Sequence, residues 1–261
     1  MIGELLDFSG RVAIVTGGAT GIGYATAMQL ARLGASVVIC SRTADELEAA
    51  AARIAAASGN RCLAVPTDVK VEDAVVAMVQ RTVDEFGRID VLVNNAGGTR
   101  MGPLESIPTR GWDSIFDLNV RSAYVCTREA GRHMIAQRSG AIVSISSSAG
   151  VNGVKGGAHY SAAKSALQMF TRVTAAEWGR YGIRANCVAA GAIASPRVLE
   201  AWKVAGLEPD DMGRTVPLRR TGTPDEMANM IVFLASDAAS YVTGQTISVD
   251  GGPSLGGIPD A

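Results

Sequence analysis

The sequence predicts an α/β protein: a doubly wound parallel sheet flanked by helices. Short apolar, β-branched runs alternate with longer helical patterns through most of the chain. The runs are nearly continuous in apolar residues rather than alternating, which suits strands covered on both faces. A glycine-rich turn separates the first run from the first helical pattern, the usual start of a nucleotide-binding α/β unit.

Strands are expected at residues 12–16, 36–40, 62–66, 91–94, 141–146, 184–188 and 246–249. Helix 21–33 sets Ile22, Leu30 and Leu33 on one side, and helix 44–57 is rich in the strong helix formers Ala, Glu and Leu. Helices 71–86, 112–137, 159–181 and 224–235 follow. At the last, Thr223-Pro224-Asp225-Glu226 reads as a cap, with proline at the first helical position and acids in the first turn. The β-α-β order implies right-handed crossovers. No low-complexity linker divides the chain, so a single domain is expected over residues 1–261. Residues 195–220 break the rhythm, and the segment 195–216 is expected to form short helices or a substrate lid.

Composition narrows the function classes. With 48% hydrophobic residues, the 261-residue chain can bury a large core. Its 24 basic and 25 acidic residues nearly cancel, so no basic surface for nucleic acid or anionic lipid is indicated. Apolar runs fall far short of the ~20 residues a bilayer needs. The first residues lack a basic segment followed by an apolar one, which points to a cytoplasmic protein. Cys40, Cys62, Cys126 and Cys187 form no C-x-x-C pair, and His133 and His159 have no ligand spacing. Buried free thiols and no metal are expected.

The turn reads Gly17-Gly18-Ala19-Thr20-Gly21-Ile22-Gly23. Backbone N–H groups and a helix N-terminus make it an anion site, and glycines at 17, 21 and 23 permit a tight turn and close ligand approach. The spacing differs from both G-x-G-x-x-G and a Walker loop. A structural turn without ligand is the plain alternative. The second strand ends at Ser41-Arg42, where an acidic residue would hold the ribose of NAD. A guanidinium suits a 2′-phosphate instead, which favours NADP(H) over NAD(H); a solvated arginine at a strand end is the alternative.

Tyr160 and Lys164 stand four apart on a helical pattern and so share a face. Ser147 lies thirteen residues before Tyr160, at the end of a strand. Ser146 and Ser148 are the alternatives to it in a crowded serine run. Asn119 lies along the preceding helix, and Asn94-Asn95-Ala96-Gly97 closes another strand. Ligands of open α/β sheets bind at such strand ends.

With Thr16-Gly17-x-x-x-Gly21-x-Gly23, Asp68-Val69, Asn186 and Asp250-Gly251-Gly252, these residues make the chain resemble the short-chain dehydrogenase/reductase family, in its 3-oxoacyl-carrier-protein reductase-like branch. The resemblance spans about residues 8–253 and implies a Rossmann-type fold. It implies that Tyr160 gives or takes the proton at the reacting oxygen and that Lys164 binds the nicotinamide ribose and lowers the tyrosine pKa. It further implies that Ser147 hydrogen-bonds the substrate oxygen and that Asn119 holds a water in a proton relay. Asp68 resembles the residue that meets the adenine amino group, with a helix N-cap as its alternative. Val69 belongs to the same motif, Asn95, Ala96 and Gly97 resemble the cofactor-facing turn, and Ile193 the position over the nicotinamide amide. The sequence departs from the pattern at Ala190, where proline is common, and at Ser195, where threonine is common. It departs again at Thr20, where many NADP-preferring members carry a basic residue; that leaves Arg42 as the one evident 2′-phosphate ligand.

The segments 98–101, 151–155 and 195–215 are the expected substrate walls. Met101, Val151, Val154, Leu199 and Trp202 make them largely apolar, with Arg100, Lys155, Arg197 and Lys203 at the mouth. Such a pocket fits a 3-oxoacyl thioester on a phosphopantetheine carrier, and equally a lid with a solvated outer face. The function expected is hydride transfer between NADP(H) and a ketone or secondary alcohol, with a 3-oxoacyl thioester as the leading substrate. The alternatives are an NAD-linked dehydrogenase of a steroid, sugar or other secondary alcohol, and a non-catalytic nucleotide-binding protein. The resemblance also implies a homotetramer or homodimer through helices 112–137 and 159–181, with the tail 253–261 reaching a neighbouring subunit.

Overall fold

The computed structural model of the chain describes residues 2–214 and 216–253. Thr215 and residues 254–261 lie outside the described residues, so neither the whole lid segment nor the tail contact is addressed.

Seven parallel strands form one sheet: β1 (Val12–Thr16), β2 (Ser36–Ser41), β3 (Cys62–Pro66), β4 (Val91–Asn94), β5 (Gly140–Ser147), β6 (Ile183–Ala190) and β7 (Thr246–Val249). Their spatial order is β3-β2-β1-β4-β5-β6-β7. Winding runs outward from β1 to β3, then restarts on the other side of β1 with β4. The connections leaving β1 and β4 therefore diverge and open a crevice at the carboxyl ends of those strands. The helices are α1 (Ile2–Leu5), α2 (Gly21–Arg32), α3 (Ala44–Ser58), α4 (Glu72–Phe86), α5 (Thr109–Phe116), α6 (Ser122–Gln137), α7 (Ala149–Asn152), α8 (Ala158–Trp178), α9 (Pro196–Val204), α10 (Pro209–Gly213) and α11 (Pro224–Ala235).

Strand pleating divides the core into two layers. Ala13, Val15, Val37 and Ile39 face Leu30 of α2, Leu47 and Ile54 of α3, and Met227 and Ile231 of α11. Ile14, Val38, Cys40 and Leu92 face Met78 of α4, Val125 and Met134 of α6, and Ala175 of α8. The central strands are covered on both faces because consecutive residues feed opposite layers. That expectation does not extend to the edges. β3 is half-buried and β7 alternates between exposed and half-buried, since neither has a neighbour on its outer side.

The expected helix 112–137 also needs correction. It starts at Thr109, and α5 passes through a π-helical turn, Asp117–Arg121, before continuing as α6. A π turn moves main-chain bonding from i−4 to i−5 and frees one carbonyl. The Asn119 side chain lies in this turn, and its Nδ2 donates to Ile115 O, four residues back, at 2.9 Å. The expected cap of α11 forms as a full capping box. Thr223 Oγ1 accepts from Glu226 N at 3.2 Å, and Glu226 Oε2 accepts from Thr223 N at 2.9 Å.

Cys40, Cys126 and Cys187 are buried free thiols and Cys62 is half-buried. Burial pushes Cys40 and Cys62 up to about 12 and Cys187 up to about 11, so none is a reactive thiolate near neutral pH. Among the described residues, no helix is long and apolar enough to cross a membrane.

Candidate active site

The crevice at the carboxyl ends of β1, β2 and β4 holds a cleft of about 780 Å³. Its floor is the turn Gly17–Gly23. Gly17 and Gly21 have φ of +64° and +56°, which side-chain-bearing residues rarely adopt. Gly23 answers to packing: a Cβ there would lie 2.3 Å from Gly17 O and 2.5 Å from Asn95 Nδ2. We expect Gly23→Ala to push α2 off the turn at a cost of about 1–3 kcal/mol. A lowered melting temperature together with lost dinucleotide binding in a fluorescence titration would verify this; unchanged binding would refute it.

Thr16 and Asn95 tie the turn to β4. Thr16 Oγ1 donates to Val93 O and accepts from Asn95 N and Ala96 N at 3.0 and 2.9 Å, and Asn95 Nδ2 donates to Thr16 O and Gly17 O at 2.9 and 3.1 Å. The Asn95 side chain thus works as a brace, while Asn95, Ala96 and Gly97 line the cleft wall.

At one end of the cleft stand Ser41, Arg42, Thr43, Glu46, Asp68, Val69 and Lys70. Ser41 Oγ is buried with no hydrogen-bond partner among the described residues. An orphaned buried hydroxyl of this kind calls for a polar ligand. Arg42 is exposed at the cleft rim. Asp68 is not the N-cap of α4: Val71 holds that position, and Asp68 Oδ1 instead accepts from Lys70 N at 3.0 Å. The other end is bounded by Gly97, Leu118, Ser195 and Arg197. Thr20 caps α2 by position without a side-chain bond, and Ile22 follows on the floor. Ile193 is not on the wall. Its side chain is buried in the core and packs over Gly222.

Beyond Gly97, α8, the end of β5 and the π turn bring Tyr160, Lys164, Ser147 and Asn119 together. Lys164 is buried, and its Nζ donates to Ile145 O at 2.7 Å. A Cβ on Gly97 would lie 3.2 Å from that Nζ and 2.8 Å from Asn119 Oδ1. The Lys164 Nζ lies 5.6 Å from the centre of the Tyr160 ring. Burial lifts the Tyr160 pKa, and a hydrogen bond with Ser147 opposes the rise. Burial also lowers Lys164 to about 8. Lys164 is not among the causes that shift Tyr160 in the chain alone. Desolvation is the larger cause at both groups and penalises each charged form.

Two further readings sharpen. Ser146 Oγ is buried, donating to Lys164 O at 3.0 Å and accepting from Gln168 Nε2 at 2.9 Å, so it is committed to α8 rather than to a ligand. Ser147 is the serine in contact with Tyr160. Asn119 spends both Nδ2 hydrogens, on Gly98 O at 2.8 Å and Ile115 O, and one Oδ1 lone pair on Gly98 N at 3.2 Å. Its side chain clamps the loop after β4. Asn186 is structural, bridging β6 to Val242 O and Gln245 N. Sequence reading passed over Thr16 as a brace, and over Gln168, Leu118 and Lys70 altogether. Gln168, Leu118 and Lys70 sit in no local pattern that marks them; only tertiary packing brings them to the site.

The residues present fit a dinucleotide: a glycine cradle that side chains would fill, an orphaned hydroxyl at one end, and a proton-bearing group beyond the other. Comparison with known proteins agrees. A family model described as enoyl-(acyl carrier protein) reductase matches residues 17–254. A 3-oxoacyl-[acyl-carrier-protein] reductase of Synechocystis sp. is 41% identical over 244 residues, 93% of this chain and 96% of that protein. A cis-4-hydroxycyclohexanecarboxylate dehydrogenase of Sinomonas cyclohexanicum is 43% identical over 251 residues, 94% of this chain and 97% of that protein. The structure of L-sorbose reductase from Gluconobacter frateurii, complexed with NADPH and L-sorbose, superposes with a TM-score of 0.90 at 32% identity, covering 95% of this chain and 97% of that one. Fold and site define an oxidoreductase that acts on CH–OH or carbonyl groups with a nicotinamide dinucleotide. The chain belongs to the short-chain dehydrogenase/reductase family.

Proposed function

We propose that the chain is an NADPH-dependent ketone reductase whose leading substrate is a 3-oxoacyl thioester. The observation that carries this reading is the placement of Tyr160, touching Ser147 and stacked near Lys164, just beyond one end of a dinucleotide-shaped cleft whose other end carries Ser41 and Arg42.

The dinucleotide, when bound, supplies the hydride and, once oxidised, a positive charge beside the phenol. Tyr160 donates its proton to the carbonyl oxygen as that oxygen gains negative charge, and Ser147 donates a hydrogen bond to the same atom. A carbonyl carbon that gains hydride and an oxygen that gains the tyrosine proton together make the alcohol; the reverse sequence oxidises it. Lys164, with a pKa of about 8, is suited to passing a proton back to the phenolate near neutral pH. Asn119 keeps Gly98 and the cleft wall in register with Lys164. Gly17, Thr20, Gly21, Ile22, Gly23, Asp68, Val69, Asn95, Ala96, Gly97 and Ser195 would hold the dinucleotide, and Arg42 with Ser41 would take a 2′-phosphate. The segment 195–216 would close over the substrate as α9 and α10.

Met101 and Val154 converge on Gly157, one turn before Tyr160, and both are exposed. They supply an apolar wall for an acyl or ring portion. The relative from Synechocystis, named for a 3-oxoacyl substrate, supports the thioester. One observation favours a second reading, an NAD-linked dehydrogenase of another secondary alcohol. Glu46 shares the Arg42 end of the cleft and could accept hydrogen bonds from two ribose hydroxyls. Tyr124, Met169 and Val173 leave exposed apolar surface on α6 and α8, which supports a homodimer or homotetramer built through these helices.

Loss of reduced-cofactor absorbance, followed in parallel with NADPH and NADH on acetoacetyl thioester, tests the reading. Much higher kcat/KM with NADPH is expected, and Arg42→Ala should cut that preference about tenfold or more, the scale of a charge-assisted contact. Preference for NADH in the native chain would overturn the 2′-phosphate assignment. No turnover of the thioester while NADPH still binds would overturn the substrate.

A further inference from the structure

The first turn of α9 spans the catalytic end of the cleft. Gly21 on the phosphate turn faces Ser195, 3.3 Å from where its Cβ would lie. Two residues on, the Arg197 guanidinium reaches the opposite wall, and a Cβ on Gly98 would lie 3.2–3.5 Å from its NH2, NH1 and Cζ atoms. Gly98 is the residue that Asn119 holds from both sides, and its neighbour Gly97 lies against Lys164 Nζ. The guanidinium and the ammonium thus flank one peptide unit, whose Cα atoms are about 3.8 Å apart.

Arg197 makes no hydrogen bond or ion pair with any described residue, unlike Arg214 of the lid and Arg220 beyond it, which pair with Asp211 and Glu226. The carboxylates on the cleft wall, Glu46 and Asp68, stand at the far end with Arg42. Among the described residues, the catalytic end therefore presents two cations and no wall carboxylate, a local field that attracts an anion. The five N–H donors of a guanidinium form a planar fork that matches a carboxylate.

We propose that Arg197 binds a carboxylate of a substrate, so that ketones, or the matching alcohols, bearing an oxyanionic group close to the reacting carbon are accepted beside the thioester. This rests on the carbonyl-reductase reading and adds a second substrate class to it. The cofactor diphosphate is the other oxyanion in reach of a cleft cation. It is the weaker match, because the turn that cradles phosphate faces Ser195, while the guanidinium sits on the Gly98 side.

The test uses matched pairs with NADPH: 4-oxopentanoate and 4-oxocyclohexanecarboxylate against their methyl esters, in the native chain and in Arg197→Gln. The native chain is expected to prefer each acid over its ester in kcat/KM. The substitution should cut that preference about tenfold or more, chiefly through KM for the acid, with the NADPH dissociation constant unmoved. An acid-to-ester ratio that Arg197→Gln leaves unchanged overturns the proposal, as does a loss of NADPH affinity that accounts for the effect. Should the native chain reduce neither member of any pair, binding decides. Calorimetric binding of cyclohexanecarboxylate to the NADPH-saturated protein that Arg197→Gln abolishes supports the anion subsite although the reductase reading fails. Absence of that binding in the native chain overturns the subsite.

Discussion

Tyr160→Phe is expected to lower kcat by about 10²–10⁴-fold, the usual contribution of a positioned general acid, while NADPH still binds. The substitution removes one oxygen from a ring held by α8 and leaves the ring's packing in place. It takes away the atom that meets Ser147 and would carry the proton to the substrate. Burial keeps this phenol neutral at pH 7, which is the form a reduction needs. Ser147→Ala should cost less, because it removes a hydrogen bond to the same oxygen rather than the proton. The check is a rapid-mixing measurement of NADPH oxidation alongside a binding titration. Tyr160→Phe turning over at near-native rate would remove Tyr160 from the mechanism.

Lys164→Met should abolish turnover and make the fold more stable. The ammonium is buried, and its pKa falls from an ordinary value of 10.5 to about 8. Between these two values the unfolded chain binds more protons than the folded one, so this group makes stability rise with pH across about pH 8 to 10.5. Below pH 8 its burial works against the fold by about 3 kcal/mol, at ~1.4 kcal/mol per unit. The methionine forgoes that penalty but also the 2.7 Å hydrogen bond to Ile145 O, worth ~1 kcal/mol. The net gain of about 2 kcal/mol corresponds to a melting temperature ~4–8 °C higher at pH 7. The difference between variant and native chain should shrink as pH rises toward 10. A variant that melts lower at pH 7, or a gap that grows with pH, would contradict this account. Lys164 is thus retained at a cost to stability, which is expected of a group kept for chemistry.

The architecture was legible in the sequence because its signals are local. Apolar runs, helix caps and the glycine turn placed the strands, α2, α3 and α11 to within a residue or two at most ends. Spacing gave the shared helix face of Tyr160 and Lys164, while the choice of Ser147 over Ser146 and Ser148 and the catalytic roles came with the family resemblance. What escaped was set by tertiary contact. The π turn at Asp117–Arg121 depends on Asn119 gripping Ile115 O and Gly98, and no local propensity encodes it. The edge character of β3 follows from sheet order, because its run looks as apolar as its buried neighbours, whereas the alternation of Thr246, Ile247, Ser248 and Val249 already marks β7 as half-covered. The N-cap alternative for Asp68 falls away because the chain spends three more residues before α4 begins. The opposed shifts of Tyr160 and Lys164 come from burial, which residue spacing does not report.

The most direct test of the central claim follows the hydride. NADPH carrying deuterium at the transferring position of C4 would be turned over on acetoacetyl thioester, and the product read by mass spectrometry. The account predicts a 3-hydroxybutanoyl thioester with one deuterium at C3, formed in step with NADPH oxidation and lost in Tyr160→Phe. A saturated butanoyl product from the matching 2-enoyl thioester, with the 3-oxo compound untouched, would contradict it and make the chain a reducer of C=C bonds instead.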